Sequence, residues 1–427
     1  MSKKRVKKDE VNRWLIISYL ANMDGVSTAQ WVDDRLPWLQ RSGVDFNLLS
    51  SPCGPHFKGL FHLRVPSISP EGMKYELGFI SRRVAPEKAG LRVFYSILLA
   101  ILSPFCFLEN KIWGSGGAHL SWSFMAVVAG FWICLSRKPT TIYATGGATS
   151  AHIAAVILSF LTRIPYVAEF QDPFVAPWAG RNKHFKRAQT YLENVIYDTA
   201  TRVVYCTKSA RDSAERRQNS GKSVSIYAGA SPKAVPSGTY IRNSVCQFGY
   251  FGALYNSRNL NSFLAALELL IAEKPVVVTQ SSVEIYGDVY GNDIQRKIEQ
   301  FPYDIVTCHG RVPRTLAVET AAKTDVLLLV QHVDECSSET IPAKVYEYLL
   351  TQRPILGLVY HNDELKQMLE SHGHIAVPAD NPHEIKKAIL HYFEQWENDE
   401  LSCAQYTPSD LTVEKAVQEL IACASQG

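Results

Sequence analysis

Short apolar runs alternate with helix-length segments along most of this chain, and the alternation restricts the fold more than any other feature. Residues 14–20 (WLIISYL) and 325–330 (DVLLLV) are nearly continuous apolar runs. Such runs are typical of strands buried on both faces of a parallel sheet. A segment long enough for a helix follows each run, and repeated βα units of this kind predict a doubly wound α/β sheet.

The chain is long enough for two such sheets. Its 427 residues exceed the size at which a single core stops growing. A stretch rich in Pro, Ser and Gly, residues 230–243, interrupts the alternation and predicts a linker. We therefore predict two Rossmann-like domains, residues 1–235 and 236–400. A helix within residues 401–427 is expected to pack back on the first domain.

Composition excludes several classes of partner. Charged residues make up 20% of the chain and the net charge is +3, without the stripe of Lys, Arg and aromatic residues that single-stranded nucleic acid requires. The nine cysteines form no Cys-x-x-Cys pair, which disfavours both zinc binding and a disulfide framework. No secretory signal is recognisable at the start of the chain. These features indicate a cytoplasmic protein that does not bind nucleic acid.

Residues 50–135 contain a segment rich in turn-forming residues followed by two apolar stretches. Residues 50–90 are rich in Pro, Gly, Ser and Arg and predict irregular structure, whereas residues 91–108 and 121–135 are apolar. Each apolar stretch is shorter than the roughly 20 residues of a membrane-spanning helix, and Pro104 is expected to break the first. Basic and aromatic residues flank them, as in helices that lie in a membrane interface. Two alternatives remain open: core helices, or peripheral membrane contact through residues 82–135.

The segment SSETIPAKVYEYLLTQRPILGL, residues 337–358, is the strongest candidate for a binding site. Glu339 lies in a loop before a predicted helix and Glu347 lies within that helix, while Pro342 suits its first turn. Lys344 and Glu347 are three positions apart and share a helix face. One cation and one anion on that face are suited to the phosphate and ribose of a nucleotide. A solvated salt bridge is the alternative.

Other loops are expected at the same edge of a sheet, where ligands bind in open α/β folds. Arg258 is suited to a diphosphate because guanidinium groups bind phosphate oxygens bidentately. The loop after the first strand, with Asn22 and Gly25, is a candidate cleft loop. Asp172, at the end of another strand, is suited either to a sugar hydroxyl or to an Asp-Pro turn. The chain has neither a P-loop nor a GxGxxG fingerprint, which disfavours a dinucleotide coenzyme.

These motifs occur in a recognisable order. GYFGALYNSRNLNSFLAAL, YGD, CHGRV, TDVLLLV and SSETIPAKVYEYLLTQRPILGL together resemble the donor domain of retaining glycosyltransferases of family 4, which have the GT-B fold. The spacing of Glu339 and Glu347 matches the E-x7-E motif of that family. IYATGGATSAHIAAVI and YVAEFQDPF resemble the acceptor domain of members that build bacterial surface polysaccharides.

The resemblance implies roles for individual residues. Glu339 is expected near the hydroxyls of the donor sugar, and His152 and Asp172 are expected to position the acceptor or the sugar. Arg258 is expected at the pyrophosphate and Glu347 at the ribose. The predicted donor-binding residues are Gly252, Arg258, Gly310, Arg311, Val312, Thr340, Ile341, Lys344 and Glu347. The resemblance also implies a UDP-sugar in preference to a GDP-sugar, with no cofactor and no metal ion.

The sequence departs from the family pattern at two positions. Ala253 stands where many members have Arg after the glycine of the first donor-domain strand, and Gln171 stands where related acceptor domains often have Arg. The first departure leaves Arg258 to bind phosphate with Lys344 or with the helix N-terminus. It also keeps a catalytically silent partner subunit among the alternatives.

The sequence therefore predicts a retaining glycosyltransferase that moves a sugar from a nucleoside diphosphate to a lipid-linked or oligosaccharide acceptor in bacterial surface polysaccharide synthesis. It is expected in the cytoplasm or peripherally on the inner face of the cytoplasmic membrane. A sugar-nucleotide epimerase of the same fold is the enzymatic alternative.

Overall fold

The structure is a computed structural model that describes residues 12–23, 26–84, 88–113, 120–175, 183–231, 240–401 and 409–425. It contains two lobes, and each is built on a sheet in which every strand pair is parallel. The predicted α/β class is confirmed. Most of the predicted linker, residues 232–239, lies outside the described residues.

The first lobe has a seven-stranded sheet in the order β3-β2-β1-β4-β5-β6-β7. Its strands are β1 (Arg13–Ile17), β2 (Asp45–Ser50), β3 (Phe61–Arg64), β4 (Thr141–Ala144), β5 (Tyr166–Phe170), β6 (Arg202–Tyr205) and β7 (Ser223–Ser225). Its helices are α1 (Ser27–Arg41), α2 (Pro70–Arg82), α3 (Ala89–Trp113), α4 (Trp122–Arg137), α5 (Thr149–Thr162), α6 (Lys183–Thr199) and α7 (Lys208–Gln218).

The second lobe has a six-stranded sheet in the order β10-β9-β8-β11-β12-β13. Its strands are β8 (Cys246–Phe251), β9 (Ser281–Tyr286), β10 (Val306–Gly310), β11 (Val326–Val330), β12 (Ile355–Val359) and β13 (Ile375–Pro378). Its helices are α8 (Asn261–Glu273), α9 (Val277–Gln280), α10 (Asn292–Glu299), α11 (Arg314–Ala321), α12 (Lys344–Thr351), α13 (Asp363–Ser371) and α14 (Pro382–Glu397). A 3-10 turn, Glu335–Glu339, precedes α12.

Strand β1 shows why the central strands are apolar throughout. Leu15 and Ile17 pack on the side of the sheet that carries α4 and α5. Trp14 and Ile16 pack on the opposite side, with α1. Successive side chains of a strand point to opposite faces, and both faces of this sheet are covered. A polar residue at any of positions 14–17 would therefore be buried.

The chain returns to the first lobe at its C-terminal end. Helix α15 (Val413–Ser425) follows the short 3-10 turn Ser409–Leu411, and its buried residues share a core with those of α1. A backbone bridge joins Ala230 to Thr412 at the start of α15. The last helix of the chain thus covers one face of the first sheet.

Residues 50–90 are not irregular, contrary to the expectation from their composition. They contain β3, a four-residue strand at the edge of the sheet, and α2. The Ser69 side chain accepts a hydrogen bond from the Gly72 N–H, and Pro70 occupies the first turn of α2. Pro and Ser at these positions start a helix rather than prevent one.

Pro104 does not end α3, which was the second wrong prediction in this region. The helix has 25 residues, and its segment Ala89–Lys111 is long and apolar enough to cross a membrane, with a mean hydropathy of 2.0. Proline removes one backbone donor from the helix. Pro104 and Ala100 are both exposed, so solvent can reach the carbonyl that loses its partner.

Candidate functional site

A cavity of about 640 Å³ lies between the lobes, at the carboxyl ends of both sheets. The first lobe contributes the start of α1 and the loop after β5. The second lobe contributes the loop after β8, the loop after β11 and the start of α12. A second cavity of about 320 Å³ adjoins it, mainly within the second lobe. Gly252, Ala253, Lys344 and Glu347 line both cavities.

Two cationic side chains line these cavities, Lys344 at their junction and Arg258 in the larger one. The Nζ of Lys344 and the Nε of Arg258 are buried, and neither donates a hydrogen bond to any part of the protein that the structure describes. The Lys344 ammonium lies 4.0 Å from the centroid of the Tyr250 ring. Burial lowers the pKa of Lys344 well below its usual range, the charge of Arg258 lowers it further, and Glu347 opposes the shift. An anion placed here would reverse that shift and provide the missing acceptors.

Gly252 leaves the space that this arrangement requires. Its φ is +137°, and a Cβ at this position would lie 2.5 Å from the Nζ of Lys344. Its N–H donates to the Tyr286 carbonyl at 2.8 Å, which fixes the loop after β8 against the end of β9. A ligand can therefore approach the backbone of Gly252 and the lysine together.

The smaller cavity is suited to a planar group. The rings of Phe251, Tyr286 and His309 are stacked in series, with centroid separations of 4.9 Å and 4.2 Å. Phe251 and Tyr286 line the cavity together with Arg311 and Val312. Gly310 does not line it but has a φ of +68°, which turns the chain after β10. Arg311 and Val312, two of the predicted donor-binding residues, thus lie at this cavity, and their role in binding stays a prediction.

Glu347 is not paired with Lys344 by a hydrogen bond. Its Oε1 accepts from the Nε of Arg314 at 2.9 Å and from the Nε2 of Gln30 at 3.1 Å. Arg314 also donates to Asp34 of the first lobe at 2.9 Å. Glu347 therefore belongs to a network that joins α1 to the second lobe. Arg314, Gln30 and Asp34 were not predicted from the sequence.

Glu339 has a different environment. Its carboxylate accepts a hydrogen bond from the Ser213 hydroxyl of α7 at 2.5 Å, and its backbone carbonyl accepts one from Thr207 at 2.8 Å. Both partners belong to the first lobe. Glu339 is not among the residues that line the cavity, whereas Thr340 and Ile341 are. Its role at the donor sugar stays a prediction.

Of the residues predicted in the first lobe, Asp172 lines the cavity and is open to it. Although Asp172 is open to the cavity, the surrounding protein partly desolvates its carboxyl group and raises its pKa, and the charge of Arg258 opposes the shift. His152 lies in the core, with its ring 4.5 Å from that of Phe170. Burial lowers the pKa of His152 to about 4, against a backbone hydrogen bond with Gly146, so the ring is neutral.

The loop after β1 contributes less than expected. The Asn22 side chain donates to the Pro55 carbonyl at 2.8 Å, and Asn22 does not line the cavity. Gly25 lies outside the described residues. The start of α1 lines the cavity instead, through Ser27, Thr28, Gln30 and Trp31.

One polar cluster in the cavity was not predicted. The Ser257 hydroxyl donates to Asp334 at 2.9 Å and lies 3.0 Å from the Nδ1 of His332. Because a hydroxyl has a single proton, the Nδ1–H of His332 is the donor in the second contact. Burial lowers the pKa of His332 to about 4, Arg258 adds to the shift, and Asp334 opposes it. A neutral imidazole and a carboxylate form a wall suited to sugar hydroxyls.

Within the described residues, no group of three or more His, Cys, Asp or Glu side chains is placed to hold a metal ion. No protein-family model matches the chain, and no curated protein matches its sequence.

Several solved structures are similar in fold to this chain over nearly its full length. HepE from Anabaena is 14% identical in complex with UDP-glucose, with a TM-score of 0.63 over 97% of this chain and 100% of HepE. Its complex with UDP gives a TM-score of 0.65 at 13% identity over the same shares of the two chains. Sucrose-phosphate synthase from Thermosynechococcus elongatus is 12% identical, with a TM-score of 0.59 over 97% of each chain.

A putative UDP-N-acetylglucosamine 2-epimerase from Listeria monocytogenes is 9% identical, with a TM-score of 0.56 over 97% of this chain and 95% of that protein. At these identities the similarity shows the fold alone. The predicted GT-B fold, two Rossmann-like domains facing across a cleft, is confirmed.

Proposed function

We propose that this protein is a glycosyltransferase that takes a hexosyl or N-acetylhexosaminyl group from a UDP-sugar. The observation that carries the proposal is a pair of cationic side chains at the cavities: Lys344 lines both of them and Arg258 lines the larger one. Within the described residues, the buried Nζ of Lys344 and the buried Nε of Arg258 have no hydrogen-bond partner. A diphosphate at this junction would extend its nucleoside into the smaller cavity and its sugar into the larger one. HepE, which shares the fold, binds UDP-glucose.

Transfer breaks the bond between the anomeric carbon and the diphosphate oxygen, and the electron pair goes to the leaving diphosphate. Lys344 and Arg258 stabilise the charge that builds there. An acceptor hydroxyl attacks the same face of the sugar, and its proton passes to the leaving phosphate. This is the retaining course that the sequence resemblance implies. No step needs a metal ion.

The acceptor enters from the first lobe in this proposal. Asp172 and the start of α1 form that side of the cavity, and Ser257, His332 and Asp334 lie on the other. The Nε2 of neutral His332 and the carboxylate of Asp334 offer hydrogen-bond acceptors to the hydroxyls of a sugar. We propose a lipid-linked or oligosaccharide acceptor of bacterial surface polysaccharide synthesis, used at the cytoplasmic side of the membrane. Glu339 contacts the donor sugar after rearrangement of its bond to Ser213.

An epimerase is the second candidate. The putative UDP-N-acetylglucosamine 2-epimerase from Listeria shares the fold, and His332, Asp334 and Asp172 are titratable groups at one cavity. Epimerisation requires a base to remove a proton from a sugar carbon. It requires no acceptor, and the nucleotide stays attached in the product.

Calorimetry with UDP and product analysis by NMR test these alternatives together. UDP binding, followed by release of UDP from UDP-glucose or UDP-N-acetylglucosamine, supports the transferase. A new UDP-sugar without UDP release supports the epimerase and overturns the transferase. Failure to bind UDP at about 1 mM, the upper end of ordinary KM values, overturns both and supports a silent partner subunit.

A further inference from the structure

Helix α3 is apolar on the side that faces away from the protein. Its inner face packs on α2, where Lys74 donates to Ser103 at 2.9 Å and the Glu71 N–H donates to Glu109 at 2.9 Å. The outer face carries large apolar side chains that are each more than half exposed: Val93, Phe94, Ile97, Ile101, Phe105 and Leu108. The water-facing side of a surface helix is normally polar. No part of the protein that the structure describes covers this apolar face.

Helices α4 and α5 carry further exposed apolar residues. Phe124, Trp132 and Leu135 on α4 are 60%, 54% and 63% exposed, and Phe160 on α5 is 75% exposed. These helices pack on the same side of the first sheet, with Tyr75 of α2 packed against their core. On the opposite side, α1 and α15 have no exposed large apolar side chain within their described residues. The apolar surface is thus confined to one side of the lobe.

Charge on this surface is almost entirely positive. Between residues 89 and 168 the sequence has one acidic residue, Glu109, and its carboxylate accepts the bond from Glu71. Basic residues stand at the ends of these helices: Arg82, Arg83, Lys88, Arg92, Arg137, Lys138 and Arg163. An apolar face with basic edges is complementary to a bilayer with anionic headgroups.

The packing of α3 indicates how it meets such a surface. Its contacts with α2 through Ser103 and Glu109 hold the helix along the lobe. A spanning orientation would require α3 to leave α2 and to carry its two ends to opposite sides of the membrane, although both ends join the same lobe. A second copy of this chain would bring two basic edges together. A helix that lies in the membrane interface places its apolar face against the acyl chains and its basic residues beside the anionic headgroups.

We propose that the outer faces of α3, α4 and α5 form a docking surface for an anionic lipid bilayer, with α3 lying in the interface. Arg82, at the end of α2, interacts electrostatically with Tyr290, a residue that lines the smaller cavity. If the proposed function holds, the bilayer presents a lipid-linked acceptor at the cleft.

Vesicle flotation tests the surface without any nucleotide. The full chain is mixed with vesicles of phosphatidylcholine alone, or with about one quarter phosphatidylglycerol. A triple variant, Phe94→Ser with Ile97→Ser and Ile101→Ser, removes apolar area that faces outward. The matched control is Ile241→Ser with Leu269→Ser and Leu316→Ser, at residues exposed elsewhere on the protein. UDP affinity and the melting temperature of each variant are measured in parallel.

The expected result is partition of the parent and the control onto the anionic vesicles, reduced by high salt, and at least a tenfold loss for the α3 variant. Absence of parent binding to anionic vesicles, or equal partition of the α3 variant and the parent, overturns the proposal. A parent dimer in solution that the α3 variant dissociates also overturns it, in favour of a second copy. If the protein binds vesicles but does not bind UDP, the proposed donor site is contradicted and the docking surface is not.

Discussion

At the scale of single residues, Lys344 shows a conflict between folding and function. Burying an ammonium group without a partner costs free energy, and burial lowers the pKa of Lys344 accordingly. Within the described residues no group accepts a hydrogen bond from this ammonium, so its N–H donors are available to a ligand. A diphosphate would offset the cost of burying Lys344 only when it is bound. The side chain therefore lowers the stability of the free protein and strengthens ligand binding.

Replacing Lys344 by Met tests this directly. We expect Lys344→Met to weaken UDP binding by about ten- to hundredfold, because a charge-assisted hydrogen bond to phosphate is lost. The melting temperature should stay the same or rise, because a buried charge is removed. Lys297→Met, at an exposed lysine of α10, is the control. Calorimetry showing equal affinity for the variant and the parent would contradict the phosphate role.

The lowered pKa of Lys344 also predicts a pH dependence. A bound diphosphate stabilises the charged ammonium, so UDP affinity falls as the pH rises through the pKa that Lys344 has in the free protein. The affinity is measured from about pH 7.5 to about pH 10, where the diphosphate itself no longer titrates. We expect the decline to be absent in Lys344→Met. A decline of the same size in the variant would assign it to another group.

The two glutamates of the E-x7-E spacing should separate affinity from turnover. We expect Glu347→Ala to weaken UDP binding, and Glu339→Ala to lower turnover more than it lowers UDP affinity. Glu339 lies against Ser213 and Glu347 lies against Arg314, so neither substitution removes a core side chain. Steady-state kinetics with the donor, together with calorimetry, measure both quantities. Parent-like values in both variants would mean that the site is assigned wrongly.

The sequence identified Lys344, Arg258 and Glu347 because local patterns mark them: a helix start, a loop after a strand, and a fixed spacing. It did not identify Arg314 as a partner of Glu347. Asp34, the other partner of Arg314, is 280 positions away in the chain, and such pairing follows from the arrangement of the lobes. Nor could the sequence show that the ring of His152 packs against Phe170 in the core of the first lobe, and its role at the acceptor or the sugar stays a prediction.

At the scale of elements, burial decided what could be predicted. Central strands such as β1 and β11 are buried at nearly every position, and their sequences carry an unbroken apolar signal. Strand β3 is at an edge and has one buried residue in four, so its signal is weak. Helix α3 was predicted as a shorter segment because Pro104 disfavours a helix interior, although the exposed position of Pro104 tolerates the missing bond.

In the loop after β8, Gly252 is expected to matter more for ligand binding than for folding stability. An Ala at Gly252 would place Cβ 2.5 Å from the flexible end of Lys344, with a φ of +137°. We expect Gly252→Ala to displace the ammonium and to weaken UDP binding by about tenfold or more, at a folding cost of about 1–2 kcal/mol.

Gly291→Ala is the matched control, because φ is also positive there, at +99°, while the space around it is open. Calorimetry and thermal melts on both variants distinguish strain from displacement. Equal losses of UDP affinity in the two variants would contradict the role of the space at Gly252.

At the scale of the whole molecule, the described residues include two sets of hydrogen bonds that join the lobes. One set lies at α7: Glu364 of α13 accepts from the N–H groups of Lys208 and Ser209, both at 2.8 Å, and Glu339 accepts from Ser213. The other lies at α1, where Asp34 and Gln30 meet Arg314 and Glu347. Only the second set includes a residue predicted to bind the nucleotide. Opening of the cleft on the α1 side is therefore the movement that ligand binding is expected to control.

Asp34→Asn weakens the α1 set without removing the bond between Arg314 and Glu347. A partly exposed ion pair contributes about 0.5–1 kcal/mol, so its loss should shift the balance between closed and open lobes about two- to fivefold toward open. Because UDP contacts chiefly the second lobe in our proposal, its affinity should change little. Turnover should fall, because transfer requires both lobes at the sugar.

Small-angle X-ray scattering measures the opening as an increase in radius of gyration. Asp45→Asn is the control, since Asp45 pairs with Arg13 at 3.0 Å within the first lobe and spans no cleft. An unchanged radius of gyration and turnover in Asp34→Asn would show that the α7 contacts alone set the closure. If turnover falls while the radius of gyration is unchanged, the lobes stay closed in the variant. Asp34 would then act by orienting Arg314, which in turn orients Glu347.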